Sequence, residues 1–113
     1  MEITTKDYSV WYDPEKAAVF FKGFLRLDGM EAYQPIINIL NIAAENGPVI
    51  TLDMKDLEFL NSSGISMLSM FVVSLRNKGN VGLVLKGSNK VLWQTKSLRN
   101  LQRLMPSISL ELG

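Results

Sequence analysis

One stretch of this 113-residue chain limits its possible folds more than any other. The apolar run Val49-Ile50-Thr51-Leu52 leads through Asp56-Leu57-Glu58-Phe59-Leu60 to Asn61-Ser62-Ser63-Gly64, and a long apolar segment opens at Ile65. This reads as a strand that ends in a short polar turn and gives way to a helix. Backbone N–H groups at a helix start lack partners within the helix, and the macrodipole adds partial positive charge. A phosphate on Ser62 or Ser63 is well tolerated in such a place. The turn is therefore a candidate regulatory phosphoacceptor site rather than a catalytic one.

Around it, strand and helix signals alternate. Tyr8 to Tyr12 and Ala17 to Gly23 read as a hairpin joined by Asp13-Pro14-Glu15-Lys16. Asp28, with Glu31 three residues on, is a candidate helix cap. Ile36, Ile37, Leu40, Ala43 and Ala44 recur at helical spacing before the Asn46-Gly47-Pro48 stop. Pro35 fits a first turn only, which places the regular start near Gln34. Val49 to Asp53 is apolar enough for a strand covered on both faces. In the next helix, Met67, Met70, Phe71 and Val73 widen the apolar face, predicting deep packing. Val81 to Lys86 reads as a buried strand. Lys90 to Met105 is helical, in two pieces broken near Thr95 to Ser97, and Ser107 to Leu112 alternates like an edge strand.

The order predicts a single α/β domain over residues 1–113. Its expected centre is a mixed, mostly parallel sheet of about four to five strands flanked by helices and opened by a β-hairpin. Loops beyond the carboxyl ends of parallel strands form the working surface of such sheets. Three are expected to gather there: Arg26 to Gly29, Asn61 to Gly64, and Gly87 to Asn89.

Composition narrows the chemistry. Histidine and cysteine are both absent. The commonest general base, the commonest transition-metal ligand, thiolate nucleophiles and disulfides go with them. Asp53, Asp56 and Glu58 make a weak hard-ion signal, since no glycine-bearing loop of calcium type accompanies them. No catalytic residue, cofactor or metal is expected. Net charge is +1, and Lys96, Arg99 and Arg103 read as a solvated helix face, so neither nucleic acid nor membrane is an expected partner. Met1 to Asp7 lacks the basic and apolar regions of a signal peptide, and no window approaches the ~20 apolar residues of a membrane span. A cytoplasmic location is expected.

The run from Val49 to Ile65, with Asn61-Ser62-Ser63-Gly64 opening a helix, resembles the STAS family, named for sulfate transporters and anti-sigma factor antagonists. Gly23-Phe24-Leu25-Arg26-Leu27-Asp28 is similar to that family's early Gly-x-Leu-Asp region with two extra residues. The resemblance implies a STAS-like fold and a bacterial signal-transduction role in transcription regulation. It puts Ser62 at the phosphorylated position, with Ser63 second. It further implies a protein partner resembling a serine kinase or anti-sigma factor, with a phosphatase reversing the modification. Asn61, Ser62, Ser63, Gly64, Arg26, Asp28, Ser88 and Asn89 are then the expected partner-binding residues. The sequence departs from the pattern at Asn61, where the antagonists usually carry aspartate. Asparagine caps a helix about as well, and it removes a negative charge beside Ser62. The alternative expectation is a small-ligand module holding nucleotide, lipid or anion without a phosphorylation switch. An independent hydrolase ranks last for want of a base.

Overall fold

The computed structural model describes residues Met1–Gly113. The elements run β1 (Glu2–Thr4), β2 (Tyr8–Asp13), β3 (Ala18–Leu25), α1 (Gly29–Ala32), α2 (Gln34–Glu45), β4 (Val49–Leu60), α3 (Ser62–Lys78), β5 (Gly82–Gly87), α4 (Leu92–Leu104) and β6 (Ser109–Leu112). All six strands form one sheet in sequence order. The first two pairings are antiparallel, and β3–β4, β4–β5 and β5–β6 are parallel. Four helices flank the sheet. The expected mixed α/β architecture is present, with one strand more than expected because Glu2–Thr4 pairs along β2.

The helix boundaries follow local chemistry. α2 starts at Gln34 with Pro35 in its first turn, where the missing N–H costs nothing. Asp28 does sit at the N-cap of α1, yet its side chain makes no capping bond. α3 ends at Gly79, whose φ of 73° is the left-handed conformation that glycine adopts without strain. α4 is one continuous helix rather than two pieces. Leu98 and Leu101 bury on one side while Lys96, Arg99 and Arg103 stay in solvent, so the polar run from Thr95 to Ser97 is simply a turn of its outer face.

β4 departs most from expectation. Its first half alternates buried and more open positions, as does all of β5, so one face of the sheet is sealed rather than both. One row across the sealed face runs Tyr12, Val19, Leu52, Leu85 and Leu110. Beyond Asp53 the strand does not turn: it continues to Leu60. In this second half the buried positions are Met54, Leu57 and Leu60, at intervals of three, which a flat strand of period two does not produce. Two register shifts account for it. Phe20 pairs with Asp53 but Lys22 with Asp56, and Gly23 pairs with Leu57 but Phe24 with Phe59. Each shift places one extra residue on β4 and turns polar Lys55, Asp56 and Glu58 outward. Those polar residues imitate a turn; they belong to a bulged strand.

β4 also outreaches its neighbour. Its pairing with β5 stops at Asp53, leaving the later carbonyls of that edge to be satisfied by something other than a strand. Gln94, fully buried on α4, supplies the donors: its Nε2 donates to the carbonyls of Met54 (2.5 Å) and Leu57 (2.9 Å). Its Oε1 accepts from the Ser88 N–H at 2.7 Å. The Trp93 indole donates to the same Leu57 carbonyl at 3.0 Å. Gln94→Met keeps the volume but leaves the Met54 carbonyl and the Ser88 N–H without partners. The expected loss is about 2–4 kcal/mol of unfolding free energy by urea titration, from buried polar groups left unsatisfied. A change below about 0.5 kcal/mol would show that water replaces the amide without cost.

Candidate functional site

The β4–α3 junction is organised by a single side-chain amide. Asn61 sits at the N-cap of α3 in extended conformation, and its Oδ1 accepts from the Gly64 N–H at 3.0 Å. The same oxygen accepts from the Tyr33 hydroxyl at 2.7 Å, while Nδ2 donates to the Leu27 carbonyl at 2.8 Å. Gly64 N–H can only donate and Leu27 C=O can only accept, so the orientation of the amide is dictated by its partners. The Asn61 backbone N–H donates to Leu25 O at 3.1 Å, extending the β3–β4 ladder by one rung. Three segments are thus held together: the loop after β3, the α1–α2 junction, and the start of α3.

This geometry explains why asparagine stands at position 61. An aspartate would keep the cap but set a carboxylate oxygen against the Leu27 carbonyl, where an N–H now lies. As caps the two residues are similar; for this three-way bond they are not interchangeable.

Gly64 answers to the same packing. A Cβ there would collide with the Leu60 side chain and come within 2.8 Å of the Tyr33 hydroxyl oxygen. Tyr33 itself is fully buried. Desolvation pushes its phenol above the ordinary value of 10, with Tyr8 adding to the rise and the backbone at Leu27 opposing it.

Because Asn61 makes the cap, the two serines are spared that task. Ser62, the first residue of α3, is exposed, and Ser63 is half-buried. The capping bond comes from Asn61, in keeping with its expected role as the helix cap. Arg26 and Asp28 are exposed on the loop that Asn61 ties down through Leu27. Ser88 and Asn89 do not join this cluster. β4 extends past β5, so the β5–α4 turn lies level with Met54 and Leu57, held there through Gln94, and Asn89 donates its N–H to Gly113.

Sequence reasoning missed the aromatic surface next to the site. Phe24 and Phe59 face each other across β3 and β4, 39% and 40% exposed. The Arg26 guanidinium stacks 5.2 Å from the centroid of each ring. Phe59 also lines an open hollow with Glu58, Lys90, Val91, Leu92 and Trp93, in which Leu92 is 97% exposed. The signal was available in the β3–β4 pairing, but the two bulges that bring Phe24 opposite Phe59 are invisible in a flat strand reading. Asp53 is occupied by Lys55 at 3.5 Å and does not gather with Asp56 and Glu58 into a cluster suited to a cation. An open groove of about 590 Å³, bordered by Asn46, Pro48, Lys78 and Asn80, lies at the other end of β4 from Asn61. No helix is long and apolar enough to cross a membrane.

No protein-family model matches the sequence, and no curated protein matches it. Solved structures do share the fold. A chain in the complex of the diguanylate cyclase SiaD with its activator SiaC from Pseudomonas aeruginosa aligns at 15% identity with a TM-score of 0.73, over 100% of this chain and 99% of that one. SiaC of Pseudomonas aeruginosa aligns at 16% identity and a TM-score of 0.66, covering 100% and 94%. Apo-SiaC from the same organism aligns at 15% and 0.71, covering 99% and 96%. At these identities the likeness establishes the fold, which is STAS-like.

Asn61→Asp is expected to lower unfolding free energy by about 1–2 kcal/mol, despite aspartate's equal strength as a cap, because the Leu27 carbonyl loses its donor. Denaturant titration of the two proteins side by side measures it; equal stability would remove the amide from its organising role. Tyr33 also sets an alkaline limit. Its folded pKa is raised, so its contribution is intact below pH 10 and is lost as pH climbs through the folded value. Tyr33→Phe is therefore expected to be less stable at neutral pH yet to decline less steeply above pH 10, as followed by thermal melts across that range.

Proposed function

We propose that this chain is a non-enzymatic regulatory domain that binds a protein partner through the surface around Asn61–Gly64, with phosphorylation of Ser62 as the switch. The observation that carries the reading is the exposed Phe24–Arg26–Phe59 stack ending three residues before Ser62. Aromatic and arginine side chains dominate the energetics of protein interfaces. Here Phe24 and Phe59 sit on paired strands with Arg26 stacked on both rings, three residues in sequence from an exposed hydroxyl. An extended chain covers at most about 11 Å in three residues, so partner and phosphate compete for one place.

The fold shared with SiaC, named as the activator of a cyclase, supports a signalling enzyme as the class of partner. The serine-switch half of the proposal rests on the STAS resemblance and on the geometry of Ser62. A serine kinase would add the phosphate and a phosphatase would remove it. The helix start tolerates a charge of about −1.5 to −2, so the phosphate acts on the partner rather than on the fold. Arg26, Asp28 and Ser63 complete the proposed contact surface; Gly64 is buried beneath it against Leu60 and Tyr33, and Ser88 and Asn89 lie apart from it.

The test uses wild-type, Ser62→Ala, Ser62→Asp and Phe59→Ala baits in the native host, with partners identified by mass spectrometry. A partner retained by wild type and Ser62→Ala, and lost by the other two, is the expected outcome. Equal retention by all four would leave neither the switch nor the aromatic contact standing. In vitro phosphorylation of Ser62 by a recovered kinase, followed by binding of the same partner, tests the charge effect at full strength.

A further inference from the structure

A phosphate on Ser62 would find most donors of its own helix start already engaged. The Asn61 N–H bonds to the Leu25 carbonyl, the Gly64 N–H to Asn61 Oδ1 and the Ile65 N–H to the Asn61 carbonyl. Of the N–H groups at the head of α3, those of Ser62 and Ser63 remain. Nor does the first turn supply a cation: the basic residues of this helix, Arg76 and Lys78, lie in its last turn. A full positive charge for the phosphate has to come from another element.

The end of β3 holds one. Asn61 brackets Arg26: its backbone N–H bonds the residue before, Leu25, at 3.1 Å, and its side-chain amide bonds the residue after, Leu27, at 2.8 Å. Leu25 pairs with Leu60, so Arg26 lies opposite Asn61 and beside Ser62. Strand spacing and the step between successive Cα atoms put the Cα of Ser62 within about 9 Å of that of Arg26. An arginine side chain and a phosphoserine reaching toward each other bridge that gap. The guanidinium is exposed and lightly held. It lies over the Phe24 and Phe59 rings, 5.2 Å from each centroid, and forms no salt bridge, the single ion pair of the structure joining Lys55 to Asp53. At an exposed site such ring contacts are weak. A phosphate instead offers the guanidinium two parallel hydrogen bonds between full charges.

We propose that Arg26 is the internal ligand of a phosphate on Ser62, and that phosphorylation works by drawing the guanidinium off the Phe24 and Phe59 rings, a refinement that rests on the proposed function above. In the modification a phosphoryl group passes from a nucleoside triphosphate to Ser62 Oγ. The serine proton and the nucleoside diphosphate leave, and the new dianion pairs with the cation beside it. A partner then loses twice: the positive charge of the stack is neutralised, and two bare rings stand where a stacked guanidinium had been. The other charged side chains on the adjoining segments are Asp28, Glu31, Glu58 and Lys90. The three carboxylates repel a phosphate. Lys90 approaches from the side of α4, across the hollow that Phe59 and Glu58 share with it.

The test compares the full chain phosphorylated at Ser62 with the same phosphoprotein carrying Arg26→Gln or Lys90→Gln. Phosphorus NMR follows the second ionisation of the phosphate. Its pKa is expected at about 6 in Arg26→Gln, and lower by about half a unit or more where Arg26 is kept. The helix start and the carboxylates act alike in all three proteins, so they cancel in the difference. The Arg26 side-chain signals give a second reading. The aromatic rings move them upfield in the unmodified chain, and phosphorylation is expected to abolish most of that displacement. Equal phosphate pKa values with and without Arg26 would overturn the proposal, as would Arg26 signals that keep their ring displacement after phosphorylation. So would a lowered pKa that is lost in Lys90→Gln but retained in Arg26→Gln. No partner takes part in these measurements. Their failure leaves partner capture through Phe59 and Ser62 standing, and failed capture leaves the pairing of Arg26 with phosphate intact.

Discussion

The geometry of this protein depends on how an overlong strand is finished. β4 runs well past the end of its pairing with β5, and every carbonyl on that unpaired edge needs a donor or exposure to water. Gln94 meets this need with one buried amide that bonds Met54, Leu57 and Ser88 together. Without that clamp the outer half of β4 would have partners on the β3 side only. With it, the β4–α3 junction projects beyond β5 on a rigid support, and Asn61, Phe59 and Ser62 share a fixed platform.

From that platform the junction is built outward by complementary polarity. Asn61 at once accepts from a helix N–H and from a phenol through its oxygen and donates to a carbonyl through its nitrogen. Consequently the neighbouring serine has no structural duty. A hydroxyl that is free of the fold can change its chemistry without cost to the fold, as the proposed switch at Ser62 requires. The surfaces on either side of Ser62 differ in character: the Phe24–Arg26–Phe59 stack is cationic and aromatic, and α3 carries no charge as far as Leu75.

Much of this was legible in the residues. The hairpin, the α2 start at Gln34, the stop at Asn46, the serine-bearing helix start and the edge strand at the end all follow from turn chemistry and periodicity. What escaped was whatever depends on two segments at once. The bulges of β4 arise from its register against β3, and Lys55, Asp56 and Glu58 alone look like a turn. Gln94 looks like an ordinary surface glutamine until the unpaired edge it serves is known. Met70 looks like core because Met67 and Phe71 beside it are core, and only the placement of α4 leaves it open. The cap at Asn61 was readable from its position; its bonds to Leu27 and Tyr33 span 34 and 28 residues and were not.

The strictly sequential sheet has a consequence for the history of the molecule as well as its shape. Each strand pairs only with its neighbours in the chain, so the sheet can grow one strand at a time during synthesis, with no late strand wedged between earlier ones. The residue that clamps β4, however, lies on the last helix. The scaffold can therefore assemble from the amino-terminal side while two carbonyls of the outer half of β4 still await their donors. Only when α4 docks do the Met54 and Leu57 carbonyls gain their donors, so the outer half of β4 is the last part of the sheet to be completed.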